Sequence, residues 1–209
     1  MNRPVILLSA ALALALPLSL LAGQVWIDPF GPPVPNATAI LMELRLPRAL
    51  LALILGSGLG AAGAAMQGYL RNPLADPGLF GIAPAAALGA VLSFYTGYEI
   101  QTVTLPLFAL TGAAGAMALL ALIAGRSGGI ALFTLAGMMI ASLAGALTRL
   151  AISLSPNPFA LSEIVTWLMG ALADRGWHEV RLAAPLTMLG LVALWRAAPA
   201  LDALALGEA

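Results

Sequence analysis

The charges of this chain are spaced so widely that a water-soluble fold is excluded. The uncharged intervals from Arg3 to Asp28, Arg48 to Arg71, Asp76 to Glu99, Glu99 to Arg126 and Arg126 to Arg149 each hold the roughly 20 apolar residues that cross a hydrocarbon core. Five membrane spans follow, and a sixth is expected near the C-terminus. Composition agrees, with 61% hydrophobic residues, 9% charged residues and a mean hydropathy of +1.00, against the roughly 25% charged residues of a soluble domain. Nine basic and nine acidic residues cancel to a formal net charge of zero and form no basic run. A surface that neutralises phosphates is therefore absent, and nucleic acid is excluded as a partner.

Two residue types are missing altogether. Without cysteine there are no disulfides, thiolate metal sites or cysteine nucleophiles. Without lysine there is neither a P-loop, which ends in Gly-Lys-Ser/Thr, nor a Schiff-base amine. Any nucleotide chemistry associated with this chain belongs to another subunit.

The first apolar run, Val5 to Ala22, follows Arg3 and precedes Leu21-Ala22-Gly23. It is longer than the roughly 7 to 15 residues of a signal-peptide core, so an uncleaved first span is preferred over a secretory signal. Trp26 sits where an aromatic belt would lie. Pro29, Pro32, Pro33 and Pro35 then deny helix continuation and mark an extramembrane loop.

Span two is predicted from Ala49 to Tyr69, roughly 32 Å at 1.5 Å per residue. Along it Gly56, Gly60, Ala64 and Gly68 recur at every fourth position, a smooth stripe on which another backbone can approach. The span is accordingly expected to be central to a helix bundle. Span five, Ile130 to Ile152, repeats the stripe at Gly137, Ala141 and Gly145 and is its expected partner. Gly58, Gly60 and Gly63 also satisfy G-x-G-x-x-G, but mid-span they lack the strand and the later carboxylate of a dinucleotide site, so that reading is rejected.

Between spans two and four the prolines Pro73, Pro77 and Pro84 forbid a regular helix over 72–84, so span three is broken or short. Irregular backbone at membrane depth survives where protein or a watery cavity satisfies its polar groups. It is also a usual address for a transport pathway. An ordinary cytoplasmic turn accounts for the same residues, and the sequence leaves both readings open. Span four is predicted over 104–124, with a flexible turn at 125–129. Arg149 ends span five as a snorkelling anchor.

The stretch 153–179 is too polar to cross lipid and is predicted to lie along it, with an interfacial helix from Ala160 to Leu172. Span six is predicted between Arg181 and Arg196, followed by a polar-ended tail. The sole histidine, His178, has no second histidine at metal-ligand spacing, so no metal site is assigned. No nucleophile-base pair or carboxylate dyad assembles either. A membrane-embedded enzyme or passive channel therefore stands only as the alternative to a transport protein.

Leu44-Arg45-Leu46-Pro47-Arg48, then 63–68 (Gly-Ala-Ala-Met-Gln-Gly), then 71–81 (Arg-Asn-Pro-Leu-Ala-Asp-Pro-Gly-Leu-Phe-Gly) run in order, followed by Leu135-Ala136-Gly137, Trp167-Leu168-Met169-Gly170 and the tail 201–208. In these motifs, over nearly its whole length, the chain resembles the FecCD family of ABC importer permeases. The resemblance implies an all-α polytopic membrane protein of about six spans here, with a broken third span and a periplasmic interfacial helix, corresponding to the first part of a ten-span subunit. Residues 1–209 would form one permease domain, truncated before the coupling helices and the last four spans, either as a fragment or through a broken gene model, with a non-functional remnant as the alternative.

The resemblance further implies a homodimer in the bacterial inner membrane, served by a cytoplasmic ABC ATPase that uses ATP and by a periplasmic substrate-binding protein. The substrate would be an iron-siderophore, haem or cobalamin, with no cofactor on this chain. Charge counting leaves orientation tied, Arg3, Arg71, Arg126 and Arg196 falling on one side and Arg45, Arg48, Arg175 and Arg181 on the other. The family places the N-terminus in the cytoplasm. By the same resemblance Arg45 and Arg48 dock the binding protein, Asn72 and Leu74 narrow the path at its cytoplasmic end, and Ile130 and Ala131 form a second constriction. Leu206, Gly207 and Glu208 begin the segment that couples to the ATPase.

Overall fold

The computed structural model describes residues 3–32, 34–95, 104–125, 129–155 and 158–206, and all regular structure among them is helical. Arg126, Gly207 and Glu208 lie outside the described residues. Among the described residues five helices are long and apolar enough to cross a membrane: Arg3–Leu21, Ala37–Leu70, Thr104–Ala124, Ile130–Ser153 and Trp177–Leu204. The chain divides into two compact units, Met1–Ala61 with Ala171–Ala197, and Ala62–Gly170 with Ala198–Ala209.

In the first unit α1 (Arg3–Leu21) carries Pro17 within it and fully buries no residue, most of its apolar side chains being exposed and Leu16, Leu20 and Leu21 half-buried. The next helix begins at Ala37, well before the predicted Ala49, and runs unbroken to Leu70 as α2 (Ala37–Ala39), a π-helical segment (Ile40–Arg45) and α3 (Leu46–Leu70). At 1.5 Å per residue this rod is roughly 50 Å long, so the turns bearing Glu43, Arg45 and Arg48 extend beyond a core of about 30 Å. Charge therefore does not end the helix.

Pro47 explains the π segment. An α-helical proline would clash with the carbonyl four residues back and withhold its hydrogen bond. Widening the turn removes the clash, and the Leu46 amide donates to the Leu41 carbonyl, five residues back. In that register the Met42 carbonyl would need a donor from Pro47, which has none. The indole Nε1 of Trp177 supplies it at 2.9 Å. Trp177 is the first residue of α8 (Trp177–Leu206), a single 30-residue helix that runs through Pro185 and Pro199. The expected tail after Arg196 is thus helical to Leu206. Glu179 caps the start of α8 by accepting from the Gly176 amide at 2.8 Å, half of a capping box.

The second unit holds a 3-10 turn (Pro77–Phe80), α4 (Ile82–Tyr95), α5 (Thr104–Ala124), α6 (Ile130–Ser153) and α7 (Pro158–Met169). With 14 residues, α4 is only roughly 21 Å long, short of a full crossing, as predicted for span three. Its core is Phe80, Ala85, Ala116, Leu120, Ala136, Ile140 and Ala144, with Met66, Leu70 and Phe133 packed against it. Most of these are alanines, so the helices approach closely. A Cβ on Gly89 of α4 would strike the Phe108 carbonyl of α5, and one on Gly112 of α5 the Ala85 carbonyl of α4. The interfacial helix, predicted to Leu172, stops at Met169 because Gly170 turns left-handed (φ 70°).

The predicted pairing of small stripes is not what forms. A Cβ on Gly56, Gly60 or Gly68 would meet nothing within 4 Å, and Ala64 is exposed. Among the described residues the three glycines of the span-two stripe have open space beside them. The stripe of α6 packs instead on the 3-10 turn, where Gly137 and Ala141 lie against Phe80 and Gly81. Spans two and five do meet, but edge to face through the rings of Tyr69 and Phe133, 5.2 Å apart.

Candidate functional site

Residues 71–81 form a built turn. The α3 helix closes at Leu70 with Arg71 in the left-handed conformation (φ 51°), and the Asn72 amide donates to the Gln67 carbonyl at 3.1 Å while that of Arg71 donates to Gly68 at 3.3 Å. These two bonds are a Schellman closure, a position that glycine usually fills. The Asn72 side chain accepts from the Leu74 amide at 2.9 Å and that of Asp76 from the Gly78 amide at 2.6 Å. The amides of Leu74 and Gly78 are thereby given local side-chain partners within the turn.

One residue of the turn, Phe80, pins it to the core. Ala75 is buried, and Phe80, 2% exposed, is seated against α6. Its ring lies 5.2 Å from that of Phe133, and a Cβ on Gly137 would come within 2.8 Å of Phe80 Cδ1. Gly81 (φ 80°) then turns the chain into α4, lying so close to Ile140 that a Cβ would be 2.6 Å from its Cγ2. Asn72 and Leu74 are left on the surface, Leu74 at 84% exposed. Ile130 and Ala131 occupy the first turn of α6, after the N-cap Gly129, and both are exposed. The structure brings Phe80, Gly81, Gly137 and Ala141 into one contact, a role that sequence reasoning missed for Phe80; a lone large aromatic between Gly78-Leu79 and Gly81 was the available signal.

The arginine pair of the first unit is divided in its duties. Arg45 Nη1 donates to the carbonyls of Leu20 (2.8 Å) and Leu21 (2.7 Å), and its Nη2 donates to Val25. It thereby caps the carbonyl end of α1, where a cation also meets the negative end of the helix dipole. Gly23 makes room for it, since a Cβ there would lie 2.6 Å from Arg45 Nη2. Arg48 is exposed. Leu206 is the last residue of α8.

The FecCD transport family matches residues 6–209. This chain belongs to that family. It is 36% identical over 179 residues to the YvrB ABC transporter permease protein of Bacillus subtilis, covering 81% of this chain and 50% of that one. It is 33% identical over 207 residues to the vitamin B12 import system permease BtuC of Escherichia coli, covering 99% of this chain and 63% of BtuC. A solved metal-chelate type ABC transporter in an inward-facing conformation superposes with a TM-score of 0.86 at 29% identity, over 97% of this chain and 65% of that one. The chain thus spans between half and two thirds of the length of these proteins.

Proposed function

We propose that the protein is a transport permease, the membrane-spanning subunit of an ATP-driven importer in the bacterial inner membrane with its N-terminus in the cytoplasm. A second copy completes the path, a separate cytoplasmic ATPase hydrolyses ATP, and a periplasmic binding protein delivers the substrate. The substrate class is a metal chelate: an iron-siderophore, haem or cobalamin. The names of BtuC and of the inward-facing transporter support that class. The observation that carries the reading is the turn at 71–81. It is an irregular segment between two membrane helices that is pinned by Phe80, holds the Leu74 and Gly78 amides with its own side chains, and leaves Asn72 and Leu74 exposed toward a path. Discontinuous helices of this kind line transport routes rather than lipid.

The deciding experiment reconstitutes the permease with its ATPase and binding protein in proteoliposomes and offers radiolabelled cobalamin, haem and ferric siderophores in turn. ATP-dependent accumulation of one of them is expected. Accumulation that proceeds without ATP would instead favour a passive channel, and none at all for any chelate would overturn the reading.

A further inference from the structure

The arginine that closes α3 does more than end a helix. Glycine fits the left-handed position of a Schellman closure without strain, whereas Arg71 holds it at φ 51°. Its side chain reaches across 133 residues of sequence, and Nε donates to the Leu204 carbonyl at 2.7 Å. The Leu204 carbonyl is a backbone acceptor close to Leu206, the last described residue of α8. A guanidinium is well matched to such an acceptor. Arg71 is followed directly by Asn72 and Leu74, so one residue is both the hinge of the turn and its tie to the end of α8.

We infer that Arg71 is a positioning residue that couples the 71–81 turn to the C-terminal end of α8, so that a displacement of that end is passed to Asn72 and Leu74. The inference rests on the transport reading for what the turn does, but the link itself is independent of it. A strained backbone position persists where the surroundings over-determine it, and here the bond to Leu204 supplies the determination. Its loss would leave the turn attached to the core through Phe80 yet free of α8.

The test exploits the absence of native cysteine. Spin labels are placed at the exposed positions Leu74→Cys and Asp202→Cys and their separation is measured in lipid nanodiscs. With Arg71 present a single narrow distance distribution is expected. Arg71→Gly, which keeps the left-handed turn and removes the donor, should lose the narrow peak with an unchanged melting temperature, and Arg71→Lys should restore it. Arg71→Asn also tolerates the left-handed region but is too short to reach Leu204, so it serves as the second variant should glycine disturb folding. A distribution as narrow in Arg71→Gly or Arg71→Asn as in the parent, or as broad in Arg71→Lys as in Arg71→Gly, overturns the link.

In the reconstituted transporter, Arg71→Gly should lower substrate imported per ATP by about five-fold, the lower end of typical coupling between sites, while ATP turnover holds. An unaltered ratio would overturn the coupling role and leave the transport reading standing. A parent transporter that imports nothing would sink the transport reading and leave the spectroscopic test of the link intact.

Discussion

Arg45 and Arg48 show how two residues of one motif come to do different things. Pro47 between them widens the helix, the widened turn frees the Met42 carbonyl for Trp177, and Arg45 is turned onto the end of α1, where it bonds three carbonyls. Arg48 meets solvent. Arg45→Ala should therefore destabilise the protein by about 1.5–3 kcal/mol, the value of a hydrogen-bonded charge, read as a lowered thermal midpoint in detergent. Arg48→Glu should leave that midpoint in place and weaken association with the proposed binding protein, since exposed rim charges act on encounter and register. Raising ionic strength should weaken the parent association too, because the Debye length is only about 8 Å at physiological salt. Equal loss of stability in both variants would show that the two arginines are not divided as described.

At the scale of whole elements, the decisive glycines are those at which another backbone has already arrived. Gly89 and Gly112 are closed against facing carbonyls, whereas Gly60 has open space around it. Both sets obey the four-residue spacing, for Ala85, Gly89 and Ser93 are as regular as Gly56, Gly60 and Ala64 and are all buried. Spacing identifies a surface on which helices can meet, but not which surface has a neighbour. Gly89→Leu should cost about 3 kcal/mol through forced separation of α4 from α5. Gly60→Leu should change stability by less than about 0.5 kcal/mol, the usual range for a site that touches nothing. Thermal unfolding of the chain in detergent checks both, and a large loss at Gly60 would mean that the stripe is covered by a second copy.

For the molecule as a whole, the absence of lysine constrains the chemistry most. A P-loop cannot be assembled from nine arginines, so the purified chain, free of partner subunits, should release no phosphate from ATP above the rate of a buffer control. Vanadate-sensitive turnover by the chain alone would contradict the proposed division of labour. The exposed apolar surface of α1 and of α8 is consistent with the lipid surroundings of such a subunit, because in a bilayer apolar side chains need no protein cover.

Much of this was legible without coordinates. Charge spacing and length place three of the five membrane-length helices among the described residues, α1, α5 and α6, to within a few residues, because desolvating a charge is the dominant cost in lipid and a span must be long enough to cross it; α8 runs on past Arg196, which does not end it. Pro73, Pro77 and Pro84 marked the break between α3 and α4 through their missing amides. The second helix was misplaced at its start, since a proline inside a helix can be absorbed by a π turn when a distant indole takes the freed carbonyl, and nothing local to Pro47 announces Trp177. The same holds for Arg45 on α1, Phe80 on Gly137 and Arg71 on Leu204, each a contact between residues far apart in the chain. Local sequence determines which backbone groups lack partners and which surfaces are smooth. Tertiary structure alone decides what satisfies them, because the partner of a stranded carbonyl or an open glycine is chosen by how the helices pack, not by its neighbours in sequence.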